Sequence, residues 1–219
     1  QYYKLDGDLW PYMEQAAADG KPHSAAQHAM DFEQMWMRNP QLQAEEEVAT
    51  YEELLPYTLR DIAKLDSGTP IIAEGAGFMP QLMARQGVAK NRYICIAPTE
   101  AFQRKLYAQR DWIGIYLKDC TDPDAAFNNW MRRDALFAKE VLRKADVLGY
   151  SSMLVDGKRS IVENYALVQR GLELSLVLYS IHLYCLYISF GNKQLDRCTC
   201  MPHAVEIDRE SSGVFEQFS

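Results

Sequence analysis

The sequence predicts a three-layer α/β fold, in which helices cover both faces of a parallel sheet. Short apolar segments alternate with longer segments of helical spacing along most of the 219 residues, and this alternation is typical of βαβ units. Glycines and acidic residues follow several of the apolar segments, as they do where parallel sheets bind ligands. Hydrophobic residues make up 48% of the chain, which is enough for a sizeable core.

The predicted elements follow one another in a regular order. Strands are predicted near 2–5, 70–74, 92–96 and 152–155, where apolar runs are bounded by charged residues, Gly or Pro. Helices are predicted at 27–38, 41–65, 80–87, 99–117, 122–149 and 160–172. Thr99 is a candidate N-cap, and Pro123 and Gly149 are typical of a helix start and a helix end. We expect Pro56 to kink or divide its helix.

Charge and cysteine content narrow the possible functions. The net charge of -7 argues against a general nucleic-acid-binding surface, so we expect no nucleic-acid partner. Five cysteines in a chain of this length do not indicate a secreted disulfide scaffold. The first ten residues lack the basic flank and apolar run of a signal peptide. We therefore expect a cytoplasmic protein.

Three predicted strands end in acidic residues and glycine. They run into Asp6-Gly7-Asp8, Glu74-Gly75 and Asp156-Gly157. Carboxylates at such positions can hold a metal or accept a proton, and glycine lets the backbone approach a ligand. The alternative is that Asp-Gly pairs are ordinary turn residues. Taken together, the three sites favour a functional rim.

The chain resembles the P-loop kinases of the nucleoside- and nucleotide-kinase-like group, in a bacterial branch of uncertain substrate. The stretches that carry the resemblance are LDGDLW (5–10), IAEG (72–75), PTEAFQR (98–104), DPDAAFNNWMRRD (122–134) and VDGKRSIVEN (155–164). The resemblance implies a P-loop kinase-like sheet and an ATP-dependent phosphotransferase that uses Mg²⁺ and a small-molecule or nucleotide acceptor. LDGDLWP also resembles the opening of sugar-acid kinases in the same superfamily.

One motif of that family is missing. No G-x-x-x-x-G-K-[ST] occurs in the 219 residues, and Gly157-Lys158 is followed by Arg159 rather than by Ser or Thr. In the family this loop follows the central first strand of the sheet. We therefore expect that strand and loop to precede Gln1, and this sequence to be a fragment that is inactive by itself. The alternative is a non-catalytic nucleotide-binding or regulatory module.

The resemblance also implies roles for residues at the rim. Asp6 and Asp8 would orient the acceptor hydroxyl and accept its proton. Glu74, with Gly75, would bind either the acceptor or Mg²⁺ through water. Arg132 and Arg133 would neutralise charge during transfer, as guanidinium groups suit phosphoryl oxygens.

The remaining implied roles concern substrate and cofactor. Arg104 and Arg110 would bind substrate. The loop that would border the adenine base comprises Asp156, Gly157, Lys158 and Arg159. ATP and Mg²⁺ binding are both expected only with the upstream loop present.

The C-terminal region lies outside the resemblance. We divide the chain into an α/β domain at 1–173 and an apolar segment with a polar tail at 174–219. Residues 174–192 contain no Asp, Glu, Lys or Arg and are at the short limit for a membrane span. These residues could insert in a membrane, form a buried strand or helix that completes the sheet, or be sequence read past a natural boundary. Of these, we do not expect a membrane partner. The oligomeric state is open.

Overall fold

The computed structural model describes residues 1–65, 68–172 and 183–188. Helices hold most of these residues: α1 (Leu5–Ala18), α2 (Pro22–His28), α3 (Phe32–Trp36), α4 (Pro40–Ile62), α5 (Pro80–Arg85), α6 (Glu100–Tyr107), α7 (Asp111–Leu117), α8 (Pro123–Leu148) and α9 (Ile161–Gly171). The strands are β1 (Tyr2–Lys4), β2 (Ile71–Glu74), β3 (Tyr93–Pro98), β4 (Ser151–Val155) and β5 (Leu183–Ile188).

The strands form two short parallel pairs, β1 with β2 and β3 with β4. β5 pairs with both β2 and β3, so the order is β1-β2-β5-β3-β4. Lys4 lies opposite Glu74, and Pro98 lies opposite Val155. Because all these pairings are parallel, the carboxyl ends of the strands lie at one edge.

The predicted fold class is wrong. The sequence predicts a three-layer parallel sheet of the P-loop kinase type, with its central first strand missing from the chain. The structure is mainly helical, and its strands are only three to six residues long; β5 joins the β1–β2 pair to the β3–β4 pair in one small sheet. The central position, where the first strand of a P-loop kinase would lie, is occupied by β5, which comes from the apolar segment at 174–192.

The positions of the four predicted strands are confirmed, since β1, β2, β3 and β4 fall on them. The helix predictions are less accurate. The predicted 99–117 helix is divided at Arg110, whose backbone is extended. α4 runs through Pro56 without a break because buried side chains on either side, Leu55 and Tyr57, hold it against the core.

Helix α1 begins where the sequence suggests a rim loop. Asp6 and Asp8 occupy its first turn, where negative charge is favourable beside the unpaired N–H groups of the helix. Pro11 lies inside the helix, a position where proline usually breaks it. Leu5, Leu9 and neighbouring apolar residues are buried, so packing outweighs that cost.

The described residues form three apolar clusters, and the two larger ones hold most of the helices together. The largest one packs α1, α4, α5 and the second half of α8 against the strands, with Leu54 and Phe78 almost fully buried. The second joins α3 and α7 to the first half of α8. Trp36 and Trp130 stack there with ring centroids 4.2 Å apart. α8 belongs to both clusters and therefore connects them.

Most of the predicted C-terminal region lies outside the described residues, namely 174–182 and 189–219, which include the predicted polar tail. Within the described part of the chain, no helix has the length and hydropathy needed to cross a membrane.

Candidate functional site

The candidate site lies where β1 and β2 end. Glu74 is the last residue of β2, and Asp6 lies in the first turn of the helix that follows β1. Because the two strands are parallel neighbours, these carboxylates come from adjacent chain segments at the same edge. This agrees with the prediction that Asp6 and Glu74 lie at one end of the strands.

Tyr2 holds the carboxylate of Glu74 in place. Its hydroxyl donates to Glu74 Oε1 at 2.6 Å, and Glu74 is only 8% exposed. Burial, followed by the negative charges of Glu74 and Asp6, raises the pKa of Tyr2 well above its ordinary value. The phenol therefore stays protonated and remains a donor. Sequence analysis missed Tyr2. Its only sequence signal is its position two residues before Lys4, which puts the two side chains on the same face of β1.

Gly75 and Gly77 bring this edge close to α1. A Cβ at Gly75, where φ is +146°, would lie 2.6 Å from the Leu5 Cβ, and one at Gly77 would lie 2.6 Å from Leu5 Cδ2. Both distances are too short for any side chain. The glycines therefore let α1 pack directly against the turn after Glu74, which fixes the separation of the two acidic segments.

Asp8 faces a different group from Asp6. It lies beside Tyr3, whose hydroxyl shares a 2.6 Å hydrogen bond with Tyr12, and Tyr12 donates to Asp61 Oδ2 at 2.8 Å. Burial, and then the charges of Asp8 and Asp61, raise the pKa of Tyr3 to about 12. Tyr2 and Tyr3 point to opposite faces of β1. The structure thus does not bring Asp8 together with Glu74.

The predicted arginine pair divides into an exposed and a buried residue. The Arg132 side chain is 56% exposed and lies 3.5 Å from Glu100 Oε2. Arg104 donates to the other oxygen of Glu100 at 3.2 Å and to Asn128 at 2.8 Å. These two arginines and Glu100 form a surface group just after β3, because Glu100 is the first residue of α6.

Arg133 instead lies in a buried ionic network. Its guanidinium contacts Glu47 Oε2 and Asp134 Oδ1, each at 2.7 Å, and Gln103 donates to Asp134 Oδ2. Burial lowers the pKa of Arg133, but the carboxylates of Asp134 and Glu47 outweigh this and raise it. Burial and the Glu47 charge raise the pKa of Asp134 to about 6, against the opposing effect of Arg133. The network ties α4, α6 and α8 together.

Arg110 lies over two aromatic rings, with its guanidinium carbon 4.3 Å from the Tyr107 centroid and 5.7 Å from that of Trp112. The Tyr107 hydroxyl is fully buried. Asp6 and Arg110 both act electrostatically on it. Tyr107 lies on α6, which begins just after β3 at the same edge. Tyr107 was also missed by sequence analysis, although it lies within the predicted 99–117 helix.

The predicted cofactor loop lies at the end of β4. Asp156 Oδ1 accepts the Lys158 N–H at 3.0 Å in a tight turn, and Gly157 has a φ of +78° with Phe102 directly beside it. The Lys158 side chain is 86% exposed and lies 3.3 Å from Asp156, whereas Arg159 lines a cavity of about 370 Å³ between β4 and α9. In the strand order, β4 is three positions from β2, which is about 14 Å at the usual strand spacing.

The fit of Mg²⁺ to Glu74 follows from the donors present. In the described part of the chain, no three His, Cys, Asp or Glu side chains are grouped to hold a metal. Mg²⁺ commonly uses one or two carboxylates and takes its other oxygens from water and substrate phosphates. Glu74 and Asp6 fit that pattern, so magnesium at Glu74 stays a prediction.

Comparison with protein-family models, with characterised proteins and with solved structures finds no match for this chain. The site is therefore interpreted from its own geometry.

Proposed function

We propose that the edge formed by β1 and β2 binds a small hydroxyl-bearing molecule, as the acceptor side of a phosphotransferase. One observation carries the proposal: a nearly buried carboxylate, Glu74, is fixed by the Tyr2 hydroxyl at the edge where parallel strands end. Tyr2 engages one oxygen of Glu74, and the other oxygen can accept a hydrogen bond from the acceptor. Such a contact would orient the hydroxyl for attack.

The second carboxylate supplies the proton chemistry. As the acceptor oxygen bonds to phosphorus, its hydroxyl proton passes to Asp6, and the bond from phosphorus to the leaving oxygen of the donor breaks. Mg·ATP, the donor implied by the resemblance, would supply the phosphoryl group. Since the 219 residues contain no G-x-x-x-x-G-K-[ST], no residue here is assigned to the donor phosphates. We place the activity in the cytoplasm, where the thiols of Cys95 and Cys120 would stay reduced.

The acceptor side is tested by calorimetric titration of adenosine, thymidine, ribose and gluconate. We expect at least one probe to bind, and its affinity to fall tenfold or more in Glu74→Gln and less in Tyr2→Phe. Glu140→Gln is the matched control, because Glu140 is an exposed carboxylate paired with Arg143 on the surface. Binding that is unchanged in Glu74→Gln contradicts the proposal.

The missing phosphate-binding motif favours a second candidate, a binding module without catalysis. The two are distinguished by ³¹P NMR of the protein extended upstream of Gln1 as its gene encodes it, mixed with Mg·ATP and the probe that binds. A phosphorylated probe supports a transferase, and stable binding without transfer supports the module.

A further inference from the structure

Among the hydrogen-bond donors of the second apolar cluster that are buried without an acceptor, three lie in adjoining rings. They are the Tyr107 hydroxyl and the indole N–H groups of Trp112 and Trp130, none of which has a partner among the described residues. Tyr107 and Trp130 are at most 1% exposed. The three rings form a triangle with centroid separations of 5.9, 5.9 and 6.1 Å. We call this group the aromatic triangle.

Unpaired donors at this density need an explanation. More than nine in ten buried polar groups in folded proteins have a partner, because an unmade hydrogen bond is costly. The rings of the triangle offer one another only their π faces, which are weak acceptors. The acceptor that these donors need therefore comes from outside the described side chains.

The charges around the triangle indicate which acceptor fits. Arg110 lies over the rings of Tyr107 and Trp112. Indole N–H groups donate and do not accept. Burial, and then the Asp134 charge, raises the pKa of Tyr107 well above its ordinary value, so this hydroxyl also keeps its proton. A group of donors beside a guanidinium suits an oxyanion. Trp112 and Arg110 are only partly buried and form the open side of the group.

We propose that the aromatic triangle, with Arg110, binds the phosphate group of a small molecule. This rests on the proposed function, because it makes the acceptor a molecule that carries both a hydroxyl and a phosphate group. Both sites follow strand ends at the same edge, since Glu74 ends β2 and Tyr107 lies on α6, which begins just after β3; the charge of Asp6 acts on both Tyr2 and Tyr107. The hydroxyl of the acceptor would lie at Glu74 and its phosphate group at the triangle.

Tyr107→Phe tests the triangle because it removes only the hydroxyl. Without ligand, we expect the melting temperature to stay the same or rise, since an unpaired donor is removed. Inorganic phosphate, titrated with tryptophan fluorescence as the signal, should bind wild type and bind Tyr107→Phe at least fivefold more weakly. Tyr57→Phe is the control: its hydroxyl donates to Asp19 elsewhere, so phosphate affinity should not change.

Two further arms identify the source of the phosphate and separate the proposals. Tighter binding of ribose 5-phosphate than of either ribose or inorganic phosphate supports a phosphorylated acceptor that spans both sites. Binding of inorganic phosphate alone supports the aromatic triangle as a phosphate site, but not a ligand that occupies both sites. Glu74→Gln should leave inorganic phosphate binding unchanged, so each proposal can fail without the other. A lower melting temperature of ligand-free Tyr107→Phe, or no phosphate binding by wild type, overturns the inference.

Discussion

Arg133 and Arg132 are neighbours on α8 that should respond very differently to the same substitution. The Arg133 side chain is 5% exposed and contacts Glu47 and Asp134, whose side chains are 11% and 5% exposed. Arg133→Met keeps much of the side-chain volume but leaves two buried carboxylates without their cation. Removing one partner of a buried ionic network typically costs about 3–5 kcal/mol. We expect a loss in that range at pH 7.

Arg132→Met is the matched control. Arg132 is 56% exposed and lies 3.5 Å from Glu100; such surface pairs contribute about 0–1 kcal/mol. The free energy of unfolding is measured by urea denaturation, with circular dichroism as the signal and the m-value compared between variants. Replacing Glu47 and Asp134 by Gln and Asn in the Arg133→Met background should recover part of the loss, since no unpaired charge is then buried. Equal losses in the two single variants would refute the buried network.

Three further predictions concern the turn after β2, the pH dependence and nucleotide binding. Gly75→Ala should lower the free energy of unfolding by about 2 kcal/mol or more, because its Cβ would meet Leu5. Gly7→Ala, in open space on α1, should instead raise the free energy of unfolding by about 0.5–1 kcal/mol. Equal effects of the two substitutions in urea denaturation would contradict this. The folded pKa of Asp134 is raised from 3.8 to about 6, so its contribution to stability is complete below about pH 4 and is lost as the pH rises through 6. As the pH rises through this range, the free energy of unfolding of wild type should therefore fall by up to about 3 kcal/mol relative to that of Asp134→Asn, as measured by urea denaturation. If the difference in free energy between the two proteins stays constant with pH, the pKa of Asp134 is not raised. Mg·ATP titrated calorimetrically into the chain should give no tight Mg²⁺-dependent binding, and tight binding would show that other residues hold the nucleotide.

The sequence predicts those features that depend on neighbouring residues. The four strands are found because apolar runs between breakers are local signals. The start of α8 is found because Asp122 caps it and Pro123 follows, and its end because Gly149 adopts a left-handed conformation. The fold class is not predicted correctly, because it depends on which strands pair and on how much of the chain is helical. β5 reaches the centre of the strand order through pairings about 90–110 residues away in the chain.

The candidate site shows the same limit. That Asp6 and Glu74 share an edge follows from parallel strands, and the sequence analysis predicts it. That one arginine of the adjacent pair points away from the other follows from the 3.6-residue period of a helix. Which of them is buried depends on Glu47, from a distant helix. Tyr2 and Tyr107 carry no motif, and only their positions against Glu74 and Arg110 give them a role.

The buried network and the aromatic triangle share helix α6. Gln103 of α6 donates to Asp134 in the network, and Tyr107, one turn further along the same helix, carries the hydroxyl of the aromatic triangle. Thr99, the N-cap of this helix, follows the end of β3 and donates its backbone N–H to Val155 of β4. A substitution that loosens the network would therefore also shift Tyr107 relative to the edge. For this reason Arg133→Met should weaken phosphate binding as well as stability, whereas Tyr107→Phe should weaken phosphate binding without loss of stability. If Arg133→Met proves unstable but binds phosphate as tightly as wild type, α6 does not couple the network to the site.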